Sequence, residues 1–248
     1  MNRSLQLGRA TVISGAPGGK NGMYTGNIEK DFEKYLVDTK LWTPWKESNH
    51  AWIQRIADLV DKAAKRTAEE NAKLTEDDYR WWVELVKLQR HYGDDRDLFG
   101  EYLELKNMTS QKNGQFFTPM SICRMMSMML QEDNLERSEP ITVSDCACGS
   151  GRMMIAHALN ASETDTQYRV TKYKYYNQDI DHKSFVFTTL NASLRNLWSV
   201  NVWGDTLAVK EYKAYITIPT NLGMAVWIDS EHELSKLEKS SEAVRVAS

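Results

Sequence analysis

Carboxylates and glycines recur in this chain at spacings suited to holding a nucleoside. In Asp145-Cys146-Ala147-Cys148-Gly149-Ser150-Gly151 an acid precedes two glycines. The glycines permit a tight turn that brings bare backbone to a ligand, and the amides opening the next helix would meet an anionic group with a favourable dipole. Asn177-Gln178-Asp179-Ile180-Asp181 supplies Asp179, a carboxylate able to accept bonds from both hydroxyls of a ribose. Trp203-Gly204-Asp205-Thr206-Leu207 supplies Asp205, whose side-chain oxygen could take an adenine amine. Ahead of all three, Gly114-Gln115-Phe116-Phe117-Thr118-Pro119 offers aromatic rings and a hydroxyl.

These groups need strand ends to carry them, and the pattern provides such ends. Strand 141–144, a glycine turn, helix 153–159, strand 173–177, helix 183–197 and strands 200–203 and 214–218 follow in order, with 224–228 as a further apolar run. The alternation predicts an α/β domain with a doubly wound sheet over 109–228, in which ligands bind beyond the carboxyl ends of the strands. Ile122, Met125, Met126, Met128, Met129 and Leu130 have helical spacing and are expected to fill the underside of that sheet as adaptable core. Upstream, apolar residues recur at helical intervals, as in Trp52, Ile53, Ile56, Leu59 and Val60 and again in Trp81, Trp82, Leu85, Val86 and Leu88. They predict a helical domain over 29–108 in which the tryptophans serve as core. Residues 1–28 read as a flexible arm and 229–248 as a charged tail.

At these residues a family resemblance can be stated. The segment from Asp97 to Leu207 resembles the modification (methylase) subunit of type I restriction systems, a family of N6-adenine DNA methyltransferases that use S-adenosylmethionine (SAM). The resemblance covers a little under half of the chain. It implies a Rossmann-like SAM-methyltransferase sheet, with Phe117, Thr118 and Pro119 laid over SAM. Asp145, Ala147, Cys148, Gly149, Ser150 and Gly151 match the family's glycine signature, although Cys146 stands where a proline is usual. Asp97-Leu98-Phe99-Gly100-Glu101 resembles the end of the family's helical domain. DNA, restriction-modification and a separate specificity or partner subunit come with the resemblance. Glycine turns and strand-end acids also serve dinucleotide enzymes, so another nucleotide stays open as a ligand, against which the Phe117-Thr118-Pro119 lead-in argues.

Methyl transfer to an adenine amine requires that the nitrogen be aligned with the sulfonium methyl and relieved of its growing charge. The family uses an Asn/Asp-Pro-Pro-aromatic tetrapeptide on a base flipped out of the duplex. No two of the five prolines are adjacent here, so that tetrapeptide is not intact. Aligning the end of the fourth strand by pattern gives Ile218-Pro219-Thr220-Asn221, with Pro219 and Asn221 as the catalytic candidates. Two readings follow: an adenine-specific methyltransferase on a truncated sheet, or a catalytically inactive SAM-binding relative that acts through DNA or a restriction-modification partner.

The bulk numbers narrow the setting. A formal charge of -3 provides no global basic field for phosphates, so DNA contact would come from a local patch or a partner. Lys172 and Lys174 flank Tyr173, Tyr175 and Tyr176, which strand alternation explains without DNA. Three cysteines make no disulfide framework, and Cys146, Cys148 and Cys123 lack a fourth zinc ligand, so no metal is expected. The absence of a secretory signal and of an apolar membrane span points to the cytoplasm. A short sheet leaves an edge that invites pairing, hence a homodimer. Ser14-Gly15-Ala16-Pro17-Gly18-Gly19-Lys20-Asn21 fails as a phosphate loop, because Asn21 stands where the magnesium-holding hydroxyl belongs.

Overall fold

The computed structural model describes residues 24–68, 76–108, 117–130 and 140–230. The arm and its phosphate-loop-like stretch, Gly114 to Phe116 and the charged tail lie outside the described residues or almost so. Four helices come first: α1 (Ile28–Asp38), α2 (Ala51–Ala68), α3 (Glu76–Tyr92) and α4 (Leu98–Leu105). Then follow α5 (Met120–Met129), β1 (Ile141–Asp145), α6 (Arg152–Thr164), β2 (Tyr173–Asp179), α7 (His182–Leu194), β3 (Trp198–Asp205), β4 (Lys210–Ile218) and β5 (Val226–Asp229). None of the described helices is long and apolar enough to cross a membrane.

Local chemistry starts the helices that matter most. Asn27 caps α1 through Lys30 N, and the buried Asp31 carboxylate gathers Thr25 N at 2.8 Å, Gly26 N at 3.0 Å and the Tyr92 hydroxyl at 2.6 Å. Burial works against ionising Asp31, but these bonds outweigh it and hold its pKa below the ordinary value. Asp97 caps α4 and Asp181 caps α7, each with its carboxylate on a first-turn amide. Every residue of α7 from Ser184 to Leu194 is buried, the mark of a helix enclosed on all sides.

That enclosure joins the two halves of the chain. Phe32, Trp52, Ile56, Leu85, Phe99 and Tyr102 from the N-terminal helices form one apolar cluster with Phe185, Phe187 and Leu190 of α7, Tyr215 of β4 and Trp227 of β5. Phe187 lies between Phe99, stacked at 4.7 Å, and Trp52, stacked at 5.7 Å. Trp227 donates to the carbonyl of Val60 at 3.0 Å.

The sheet is open, with five strands in the order β1-β2-β3-β4-β5. β1, β2 and β3 are parallel, and β3, β4 and β5 are antiparallel. In the register Tyr175 sits beside Ser199, Asn201 beside Tyr215 and Thr217 beside Trp227, so Tyr175, Asn177, Asn201, Tyr215 and Trp227 share one face. The helices lie there: Phe185 stacks on Tyr215 at 4.8 Å, His157 meets the Tyr175 hydroxyl at 3.0 Å, and His182 packs on Trp203 at 4.6 Å. The opposite face carries Lys174, Tyr176, Trp198, Val200 and Ile216.

Two expectations change here. The doubly wound arrangement is not what the described residues make, since the helices that pack on the sheet do so on one face. The reason is the connection after β3, a short turn over 206–209 that reverses the chain into β4 where a crossover helix would have kept it parallel. Nor does the methionine helix fill the underside of the sheet. α5 buries Cys123 and Ser127 and packs on α6, while Met125, Met128 and Met129 are 52%, 62% and 77% exposed.

Candidate functional site

Because β1, β2 and β3 are parallel, their carboxyl ends share one edge of the sheet, and Asp145, Asp179 and Asp205 all come to it. The turn from β1 into α6 is held by β2. Gly149 N donates to Asp179 Oδ2 at 2.8 Å and Cys148 N to the Gln178 carbonyl at 3.0 Å. α7 holds its far side, the Thr188 hydroxyl donating to the Gly149 carbonyl at 2.8 Å. Gly149 has φ +56° and Gly151 φ +89°, a region that L side chains enter at a cost. A Cβ on Gly151 would also stand 3.1 Å from Met154 Cε and 3.3 Å from Thr188, so this glycine is needed for the turn's packing. Gly151 starts α6 with no side-chain cap, and an uncapped helix start favours an anionic group.

The acids differ in what they are free to do. Asp179 is buried, and besides Gly149 it accepts from Asp181 N at 2.8 Å. Each carboxylate oxygen retains a second acceptor site for a ligand hydroxyl. Burial raises the Asp179 pKa, the charges of Asp181 and Asp145 add to the rise, and the two amides only partly offset it. Burial likewise raises Asp145, opposed by the amide of Ala147 at 3.1 Å. Asp205 spends Oδ1 on the hairpin, accepting from Leu207 N at 2.9 Å and Ala208 N at 3.0 Å. Burial pushes the Cys148 thiol well up, so it is an inert packing group; Cys146 is exposed.

Phe117 is buried and lies directly on the turn, its Cδ1 and Cε1 each 3.1 Å from where a Gly149 Cβ would stand. The Arg152 guanidinium lies 5.2 Å from its ring centroid. Thr118 and Pro119 are exposed, and the Pro119 carbonyl opens α5 by accepting from Ile122 N and Cys123 N.

Pro219 and Asn221 are not brought to this edge. β4 runs antiparallel to β3, with Thr217 beside Ser199 and Lys210 beside Asp205, so the loop after Ile218 lies at the amino end of β3. The nine residues of β4 separate it from the site by about 27 Å at ~3.4 Å per residue. There Thr220 exchanges backbone bonds of 2.8 and 3.0 Å with the Asn196 side chain. Only a fourth strand parallel to β3 would end at the site edge, and the hairpin after β3 makes β4 antiparallel.

A second set of residues surrounds the turn; the sequence showed Asp97, Gly100 and Ser150 only as parts of the family resemblance, with no contacts assigned to them. Asp97, fully buried, accepts from Gly100 N at 3.1 Å, from Arg152 Nε and Asn191 Nδ2 at 2.9 Å each, and from the Ser150 hydroxyl. Gly100 lets α4 come this close to the turn, since a Cβ there would fall 2.8 Å from Ser150 Oγ and 3.0 Å from Arg152 Nη2, besides 2.0 Å from the capping Asp97 Oδ2. The visible signal was the capping aspartate with glycine three residues on; its partners 53 and 94 residues away along the chain were not.

Glycine turn, strand-end acids and aromatic cover together make the candidate site of an α/β protein, on the carboxyl ends of its parallel strands. A family model for N-6 DNA methylase matches residues 94–226, and the chain belongs to that family. The match takes in α4 and the whole edge bearing Asp145, Asp179 and Asp205. It supports a DNA methyltransferase-like function, with DNA as the class of substrate and SAM as the general methyl donor of the family. No curated protein and no solved structure matches the chain.

Proposed function

We propose that this chain carries the SAM-binding part of an adenine-N6 DNA methyltransferase and that the site receiving the target amine lies outside its described residues. The observation that carries the reading is the Asp179–Gly149 bond, which holds a buried carboxylate and a bare glycine turn side by side on adjacent parallel strands. In this reading Asp179 takes the ribose hydroxyls, and Asp205 offers its remaining oxygen to the adenine amine. Asp145 and Ala147 shape the turn, and Gly149 and Gly151 allow the backbone to approach the methionine end. Phe117, Thr118 and Pro119 form the roof. The residues fit SAM, provided that the Phe117 ring moves off Gly149 as the ligand enters.

The split of labour rests on the amine site. The chain contains no Pro-Pro pair, and its fourth strand ends at the wrong edge. α5 packs on α6, which covers β1, so α5 lies toward the β1 side of the layer. β1 has no partner on its outer edge among the described residues. A strand added in parallel to that edge would end beside Asp145, and the exposed methionines of α5 would be covered with it. We read the contributor as a separate partner subunit of restriction-modification type, with a second copy of the chain as the other occupant, and we place the assembly in the cytoplasm. The helical part (29–108) then acts as the support of the SAM-binding part (109–228).

Phe117 seated on Gly149 favours a second reading, an inactive relative in which the turn is retained as structure and the chain works by binding DNA or a partner. Calorimetric titration with SAM, beside tritiated methyl transfer to unmethylated DNA, separates the two. Micromolar SAM binding without transfer by the isolated chain, and transfer once a partner is added, is the expected result. Transfer by the isolated chain refutes the split site, and absence of SAM binding refutes the cofactor assignment and leaves the second reading.

A further inference from the structure

Arg152 is 6% exposed and uses its whole guanidinium. Nε donates to Asp97 at 2.9 Å, Nη2 to Glu104 at 2.7 Å, and Nη1 to Glu104 at 3.2 Å and to the Thr118 carbonyl at 3.3 Å. Its face carries the Phe117 ring at 5.2 Å. This one side chain, at the first position of α6, therefore touches the cofactor turn, the roof and both ends of α4. The planar fork is what allows it, since an ammonium cannot make paired bonds in a plane while stacking on an aromatic face.

We propose that Arg152 is the positioning residue through which α4 fixes Phe117 and Thr118 against the cofactor turn. The inference rests on the SAM reading for its purpose, though not for its geometry. Asp97 and Glu104 set the guanidinium, the guanidinium sets the Thr118 carbonyl and the Phe117 ring, and these set the cover over Gly149. Movement of α4 is thereby felt at the roof with no contact between α4 and the ligand. Glu104 is the informative partner: its side chain is 40% exposed, so neutralising it disturbs the fold little.

A thiol beneath the roof reports on the arrangement without any ligand. Cys123 is fully buried and its Sγ lies 3.5 Å from the Thr118 carbonyl it donates to, so displacement of Thr118 uncovers it. In the full chain carrying Cys146→Ser, to remove the exposed thiol, labelling with an aromatic disulfide followed by peptide mapping gives the rate at Cys123. Arg152→Lys and Glu104→Gln are each expected to raise that rate about tenfold, the effect of losing one charge-assisted bond, with Glu104→Gln still unfolding cooperatively in urea at an unchanged m-value. The double variant is expected to label no faster than the faster of the two single variants.

Wild-type labelling rates in both variants overturn the proposal. A response to Arg152→Lys alone, with Glu104→Gln inert, overturns the part assigned to α4. If Arg152→Lys fails to fold, Glu104→Gln still decides. Failure of the unaltered chain to bind SAM refutes the cofactor reading alone, because the labelling rates judge the positioning without it.

Discussion

Asp97→Asn tests whether the joint between α4 and the cofactor turn bears stability as the geometry requires. The substitution keeps the shape. Its remaining oxygen can still serve Gly100 and Asn191, now held by Oδ1 at 3.1 and 2.9 Å. The new amide replaces Oδ2, which accepts from Arg152 Nε at 2.9 Å and from the Ser150 hydroxyl. Ser150 can turn to accept; Arg152 cannot, so donor faces donor in a fully enclosed place. Breaking a buried pair costs about 3–5 kcal/mol and losing a charged hydrogen bond about 1.5–3 kcal/mol. Arg152 keeps Glu104, which argues for the overlap of the two ranges, ~3 kcal/mol. For a chain of this size that lowers Tm by roughly 6–12 °C. Urea unfolding at constant m-value, beside calorimetric melting, measures it. A loss under about 1 kcal/mol would show that the pair is no stronger than a surface contact, and the account of the joint would then be wrong.

Two other perturbations probe the neighbourhood. Gly151→Ala forces a Cβ at φ +89° to within 3.1 Å of Met154 Cε; a loss of about 2 kcal/mol in urea unfolding is expected, chiefly from the left-handed backbone. His157 is buried against Tyr175, and burial lowers its pKa from 6.5 to about 4. The folded protein thus resists a proton that the unfolded chain accepts. Its contribution is complete above pH 6.5 and is lost as pH falls through 4, up to about 3 kcal/mol. Urea midpoints between pH 7.5 and 4 should show the decline, and His157→Gln should flatten it.

Much of the site was legible because its signals are local. Two glycines after a strand, and acids closing the next two strands, are fixed by covalent order wherever the chain goes, and parallel pairing of β1, β2 and β3 then suffices to gather Asp145, Asp179 and Asp205 on one edge. Helix periodicity likewise announced α2 and α3. What escaped was set by partners distant along the chain. Whether the apolar residues of α5 face the sheet or solvent depends on which neighbour α6 presents, and the pattern of methionines is the same in both cases.

The sequence by itself determined the strand-end groups, the order of elements and the loss of the Pro-Pro pair, since each is a property of adjacent residues. Tertiary structure alone decided the direction of β4, because a short turn rather than a crossover fixed it, and that direction removed Pro219 and Asn221 from the site. It also decided that Asp97 and Arg152, 55 residues apart, would meet in a buried place, where a carboxylate and a guanidinium must find each other because no water can serve either.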